Sequence, residues 1–236
     1  MNDLTAFEIG SAVHVVAILG CAAITAVVAV LANRHRDDPR ITRSIRAFIV
    51  AGCLLSWLFS NGFGFLPAYF SWENSLPLHF CNLANLIGAV AIWKRYRPAQ
   101  SLLYFWAFGL SVWALLTPSL GEGPSTVWFW LFWLYHLFIF VSATVVLVDG
   151  FRPTWGDFRQ SLGFTLLYMF LLALLDRATG WNYGFVGEGK PLQPSPLDAL
   201  GPYPLRLLWM ALIGTAIFAL LMLPWLRQRP EAGAKP

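Results

Sequence analysis

Charge is scarce in this sequence. Of 236 residues, 12% are Asp, Glu, Lys or Arg, against about 25% in a soluble domain. None of them falls in the central part of an apolar segment. That excludes an ordinary water-soluble globular chain. It also weakens a coupled-pump reading, because proton- and sodium-coupled transporters commonly place carboxylates at mid-membrane. No CxxC occurs. Cys21, Cys53 and Cys81 all fall in apolar runs, so no disulfide framework is expected, and Cys21 and Cys53 read as small packing residues. No internal repeat is visible, so the inverted-repeat signature of many transporters is missing. The apolar runs are continuous rather than alternating, which argues against a β-barrel. No Lys or Arg precedes the first run, which is also too long for a signal-peptide core. It therefore reads as a spanning helix rather than a cleaved leader.

What is present is grease: 58% hydrophobic residues, including 12 Trp. Seven apolar segments emerge, near 9–32, 43–64, 76–93, 100–117, 126–148, 161–178 and 204–226. Each is long enough for a hydrocarbon core of about 30 Å at about 1.5 Å per residue. The expected fold is an all-α membrane protein, a seven-transmembrane-helix bundle forming a single membrane domain. Thirteen of the sixteen Lys and Arg fall on one set of connections and three on the other. The charge rule for loops then sets the N-terminus outside and the C-terminus in the cytoplasm, as a multi-pass protein of the plasma (inner) membrane. The net charge of +4 is accounted for by these orientation signals, and no nucleic-acid partner is expected. The longest connection, 179–203, is rich in Gly, Pro and aromatic residues. Five prolines between 191 and 204 exclude a regular helix there. It reads as an outer capping loop, with an interfacial linker as the alternative.

The polar exception is Leu76–Asn85, which places His79, Cys81, Asn82 and Asn85 in one apolar helix. Ser75 is expected to cap that helix, and Pro77 suits its first turn. Cys81 and Asn85 are four residues apart, and Asn82 and Asn85 three, so they form a polar band. The band suits interhelical hydrogen bonding, or a nucleophilic thiol activated by a histidine. His79 is two residues from Cys81 and points elsewhere. His136, in the aromatic run Trp130–Phe138, is the better-placed base and lies near mid-membrane. Level helices would leave Cys81 too shallow to meet it. The apolar stretch 62–72 allows the third helix to begin below the surface, which would bring the two together. His14 has no polar neighbours in sequence and reads first as structural. His79, Cys81 and His136 lack a fourth ligand, so no metal site is expected.

Several motifs recur in one known group. They are Pro77-Leu78-His79-Phe80-Cys81-Asn82, Tyr104-Phe105-Trp106 running to Ala114-Leu115-Leu116-Thr117-Pro118, and His136 in an aromatic fifth helix. The last is Asn182-Tyr183-x-Phe185, followed by Ser195-x-Leu197-Asp198-x-Leu200-Gly201-Pro202-x-Pro204. In this order they resemble the YwaF-type bacterial integral membrane family. That family is similar in turn to an animal transmembrane acyltransferase that remodels ether phospholipids. More distantly it is similar to animal membrane hydrolases of fatty-acid esters that use threonine and histidine. By the first resemblance the acyltransferase's cysteine and histidine fall on Cys81 and His136. The chain departs from the commoner pattern at Ser119 and at Pro194-Ser195-Pro196.

The resemblance implies a membrane lipid acyltransferase or acyl hydrolase. Cys81 would carry a thioester and His136 would act as base. Asn82, Asn85 and His79 would serve as oxyanion or orienting groups. Asn182, Tyr183 and Asp198 would contact the substrate. No cofactor is expected, and the partner is a membrane lipid. The alternative is a non-enzymatic transporter or a small-ligand or lipid-binding protein that uses the same polar pocket.

Overall fold

A computed structural model describes residues 5–189 and 196–226. Among the described residues there are eight α-helices: α1 Ala12–Arg34, α2 Pro39–Gly62, α3 Phe80–Lys94, α4 Arg97–Phe105, α5 Val112–Leu116, α6 Val127–Val148, α7 Trp155–Thr179 and α8 Leu205–Met222. A π-helical segment, Trp106–Ser111, joins α4 to α5 in one span. Six of the segments are long and apolar enough to cross a membrane, and α3 is a shorter apolar helix. The exterior is apolar as well as the interior. Val16, Leu19 and Val27 on α1, Leu167 and Phe170 on α7, and Leu208 and Leu212 on α8 are all exposed. A surface of that kind requires lipid as its solvent.

Local chemistry sets where the helices begin. Asp38 caps α2, accepting from the Arg40 and Ile41 amides, with Pro39 in the first turn. That cap moves the start ahead of the expected residue 43. Thr154 and Asp157 form a reciprocal capping box that starts α7 at Trp155 instead of 161. Gly180, at φ 78°, ends α7 in the left-handed conformation that a glycine adopts without strain.

Helix α6 is the axis. It packs against α1, α2 and α3 and carries the largest buried share of any long helix. Glycine permits the closest crossings. A Cβ on Gly52 would lie 1.9 Å from the Phe138 ring, and one on Gly88 would lie 2.7 Å from Ser142 Oγ. These are the small-residue contacts by which membrane helices approach one another. Cys53, fully buried in the same seam, points its thiol at the Phe138 carbonyl. His14 ties α1 to α5: its Nδ1 accepts from the Gly10 amide and its Nε2 donates to the Leu115 carbonyl at 2.7 Å.

The two ends of the bundle differ. At one end Arg46 pairs with Asp149 at 2.7 Å, Arg95 reaches the Asp149 carbonyl, and Arg97 grips Asp157. At the other end are the long connections: 66–79, 117–126 and the described parts of 180–204.

The third segment departs most from expectation. Leu76–Leu78 is not helical and Ser75 does not cap; its hydroxyl instead accepts from the Ser71 amide. The helix starts at Phe80 with His79 as its N-cap residue. Two tyrosines take the place of the missing helical bonds. Tyr183 Oη accepts from the Leu76 amide and donates to the Trp72 carbonyl, and Tyr168 Oη donates to the Leu78 carbonyl at 2.6 Å. Across Pro77 the Leu78 amide donates back to the Leu76 carbonyl at 2.8 Å. The α3 helix therefore begins four residues later than the expected residue 76.

Candidate functional site

A cavity of about 970 Å³ lies at the end of the bundle with the long connections, and the first turn of α3 lines it. Its lining includes the polar residues Asn61, His79, Cys81, Asn82, Tyr135, His136 and Asn182. Its lining also includes the apolar residues Leu110, Leu166, Met169, Ile213, Ile217 and Phe218. Phe218 is thirteen residues beyond Leu205, so the cavity reaches about 20 Å down α8. Trp181, Phe185, Pro196, Leu197 and Leu200 roof it. The capping loop thus forms part of the cavity wall. A cavity of this size lined by both polar and apolar side chains fits an amphiphile.

Cys81 lies in the first turn of α3. Its Sγ meets Ser111 Oγ at 3.5 Å. Ser111 is the last residue of the π-helical segment, an insertion type that recurs at functional sites. His136 sits on the same cavity wall, and its Nδ1 is 2.8 Å from the Phe132 carbonyl. A carbonyl only accepts, so Nδ1 carries the proton and Nε2 is left as a bare lone pair. His79 is the reverse case. Its Nδ1 accepts from the Gly184 amide at 3.1 Å, so its proton is on Nε2. Tyr183 and Phe185 pack against its ring. Cys81 and His136 share the cavity, but no hydrogen bond joins them among the described residues.

The amides do other work. Asn82 Oδ1 accepts from the His79 amide and so steadies the helix start, while its Nδ2 donates to Asn61 Oδ1. Asn61 is itself anchored on the Trp57 carbonyl. Asn85 is fully buried behind the wall and donates to the Tyr135 carbonyl at 2.9 Å. Asn182 reaches the cavity and accepts from the Gly187 amide. Tyr183 is also behind the wall, supporting Leu76 and Trp72. The side chain of Asp198 lies outside the described residues. Among those residues, no three of His, Cys, Asp and Glu converge as a metal site.

Sequence reasoning missed Ser111, Asn61 and Tyr135. A serine in a spanning helix and a tyrosine in an aromatic run are ordinary there, and no spacing singles them out. The hint for Asn61 was an amide near the end of an apolar segment. Arg206 was counted only as a charge. It is buried and donates to the carbonyls of Gly187 and Gly189, pinning the loop that roofs the cavity.

No curated protein and no solved structure matches this chain. One family model does, and it spans residues 9–222, from just before α1 to the last residue of α8. A match over the whole bundle, cavity included, makes the chain a member of the TMEM164 family.

Proposed function

We propose that the protein is a membrane lipid acyltransferase, with acyl hydrolysis as the same chemistry when water replaces the acceptor. The observation that carries the reading is the presence of two groups on the lining of one cavity. One is a cysteine thiol and the other a histidine whose bare nitrogen is fixed by its neighbour. His136 Nε2 takes the thiol proton as Cys81 Sγ attacks the ester carbonyl of a bound lipid. The ester C–O bond breaks, the proton passes to the departing lysolipid oxygen, and the acyl group remains on Cys81 as a thioester. A second hydroxyl then takes the acyl group. The approach of Sγ to Nε2 is a step of substrate binding, since catalytic hydrogen bonds are often loose in the unliganded state. Ser111, which now partners the thiol, holds it until then.

His79, through its Nε2–H, and Asn182 orient a head group in this reading, and both line the cavity. Asn82 keeps one amide hydrogen for the cavity. Tyr183 and Asn85 act by support. The basic end of the bundle faces the cytoplasm, so the cavity opens toward the outer leaflet of the inner membrane.

The missing Cys81–His136 hydrogen bond favours the rival, a lipid-binding or transport protein using the same cavity. Purified protein in micelles, given a phospholipid labelled in its acyl chain together with a lysophospholipid acceptor, distinguishes them. Acyl transfer predicts label in the acceptor, reduced at least about 10³-fold in Cys81→Ala and in His136→Ala. Lipid binding without transfer, unchanged by either substitution, supports the rival.

A further inference from the structure

The Cys81 thiol shares a hydrogen bond with the Ser111 hydroxyl, Sγ to Oγ 3.5 Å, in which either atom can be the donor. Cys81 lines the cavity, whereas Ser111 is 1% exposed and does not line it. The hydroxyl therefore meets the sulfur from the packed interior, clear of a lipid bound in the cavity. An irregular backbone brings it there. Ser111 closes the π-helical segment Trp106–Ser111 between α4 and α5. A π turn takes in one more residue than an α turn, which rotates later positions by about 100° relative to a straight α-helix. Such insertions are rare and concentrate at functional sites. This one sets a polar side chain against a cavity thiol.

A protonated thiol can donate to Ser111. Once its proton leaves, the sulfur only accepts, so the hydroxyl turns about its Cβ–Oγ bond and donates instead. A thiolate in an apolar bundle is costly without such a donor. Cys81 is also the second residue of α3, where the positive end of the helix favours a thiolate. Resting on the acyl-transfer reading, we infer that Ser111 is a catalytic residue whose hydroxyl donates a hydrogen bond to the Cys81 thiolate. The Sγ–H bond breaks, the proton goes to His136 Nε2, and the electron pair stays on sulfur under the Ser111 hydroxyl. The S–C bond then forms as the carbonyl π pair moves onto oxygen. That pair returns as the ester C–O bond breaks, and the lysolipid oxygen leaves with the proton from His136. Ser111 keeps its own proton throughout and is never acylated.

The test follows Cys81 by peptide mass spectrometry in full-length protein in micelles, carrying Ser111→Ala, Ser111→Thr or no change. Two rates are measured at fixed pH: alkylation by an apolar maleimide, which needs only the thiolate, and acylation by a phospholipid of defined chains. Ser111→Ala removes one hydrogen bond to a charged sulfur. Alkylation should slow about 10-fold, somewhat less than the thiolate population falls, because an unbonded thiolate is the stronger nucleophile. Acylation should slow with it, with KM and melting temperature unchanged. Ser111→Thr keeps the hydroxyl and should react faster than Ser111→Ala. A packing role reverses that order, since threonine adds a methyl group to a buried site and alanine does not. The reversed order, or a Ser111→Ala alkylation rate equal to that of the unchanged protein, overturns the role, and acylation of Cys81 then leaves the acyl-transfer reading standing. No acyl group on Cys81 in the unchanged protein overturns the acyl-transfer reading, while alkylation still decides whether Ser111 donates to the thiolate. Should Ser111→Thr fail to fold, the pH profile of Ser111→Ala decides. A lost thiolate is regained at higher pH, as the inference expects, whereas a displaced thiol stays slow at every pH and overturns it.

Discussion

At His136 the Nδ1 proton is committed to the Phe132 carbonyl one turn back, and at His79 the Gly184 amide claims Nδ1 instead. The same side chain is thus set as an acceptor at one position of the cavity and as a donor at another, by backbone groups alone. Cys81, His79, Asn82 and His136 stood out in the sequence because polar groups in apolar runs are costly. Their division of labour did not, because a tautomer depends on whichever backbone atom lies opposite. Asp157 shows how much one residue can hold at the other end of the bundle. Its carboxylate is buried and accepts from Arg97, the Thr154 amide and the Thr154 hydroxyl. Arg97 is half exposed, so solvent weakens that ion pair. Asp157→Asn is expected to lose about 2 kcal/mol in denaturant unfolding in detergent, most of it from the caps and not the charge. A loss confined to high-salt-sensitive stability would show the reverse.

At the scale of elements, spans were legible and their ends were less so. Long apolar runs announce a helix by length, whereas the start of α3 depends on contacts remote in sequence. Pro77 gave the local signal, but helices tolerate proline in a first turn, so the residue fits both readings. Tyr183 and Tyr168 decide the matter by taking the Leu76 amide and the Leu78 carbonyl. The π-helical turn that presents Ser111 was likewise invisible, since its sequence is a continuous apolar run. Tyr183→Phe removes two hydrogen bonds from a buried site and should cost about 1–3 kcal/mol, with faster amide exchange at Leu76. Unchanged exchange there would separate Tyr183 from the late start of α3. Burial pushes the Tyr183 hydroxyl above its usual 10.0. The folded protein keeps it neutral where the unfolded chain ionises, so its contribution is whole below pH 10 and is lost as pH rises through the folded value. Tyr183→Phe should flatten that alkaline decline.

For the whole molecule, six helices long enough to span, a shorter apolar one, a basic end and an end with long connections follow from composition and charge placement, which single positions cannot hide. The cavity does not follow from them. It is the space left when α3 starts late, the π-helical segment turns Ser111 inward, and Arg206 fixes the roof. Gly214 tests whether its apolar lining is used. It lines the cavity, and a Cβ there would meet nothing within 4 Å. Gly214→Ala should stabilise α8 by about 0.5–1 kcal/mol through helix propensity. Gly214→Phe should fold equally well but shift preference toward shorter acyl chains in competition between esters. An unchanged chain preference would move the lipid elsewhere.

The central claim is a covalent one, and the direct measurement is peptide mass spectrometry of the purified protein after incubation with a phospholipid of defined acyl chains. Cys81 is expected to gain the mass of one acyl group, hydroxylamine to remove it, and His136→Ala to slow its appearance at least about 10³-fold. Turnover of the lipid with an acyl group on another residue, or with Cys81 unmodified throughout, would contradict it.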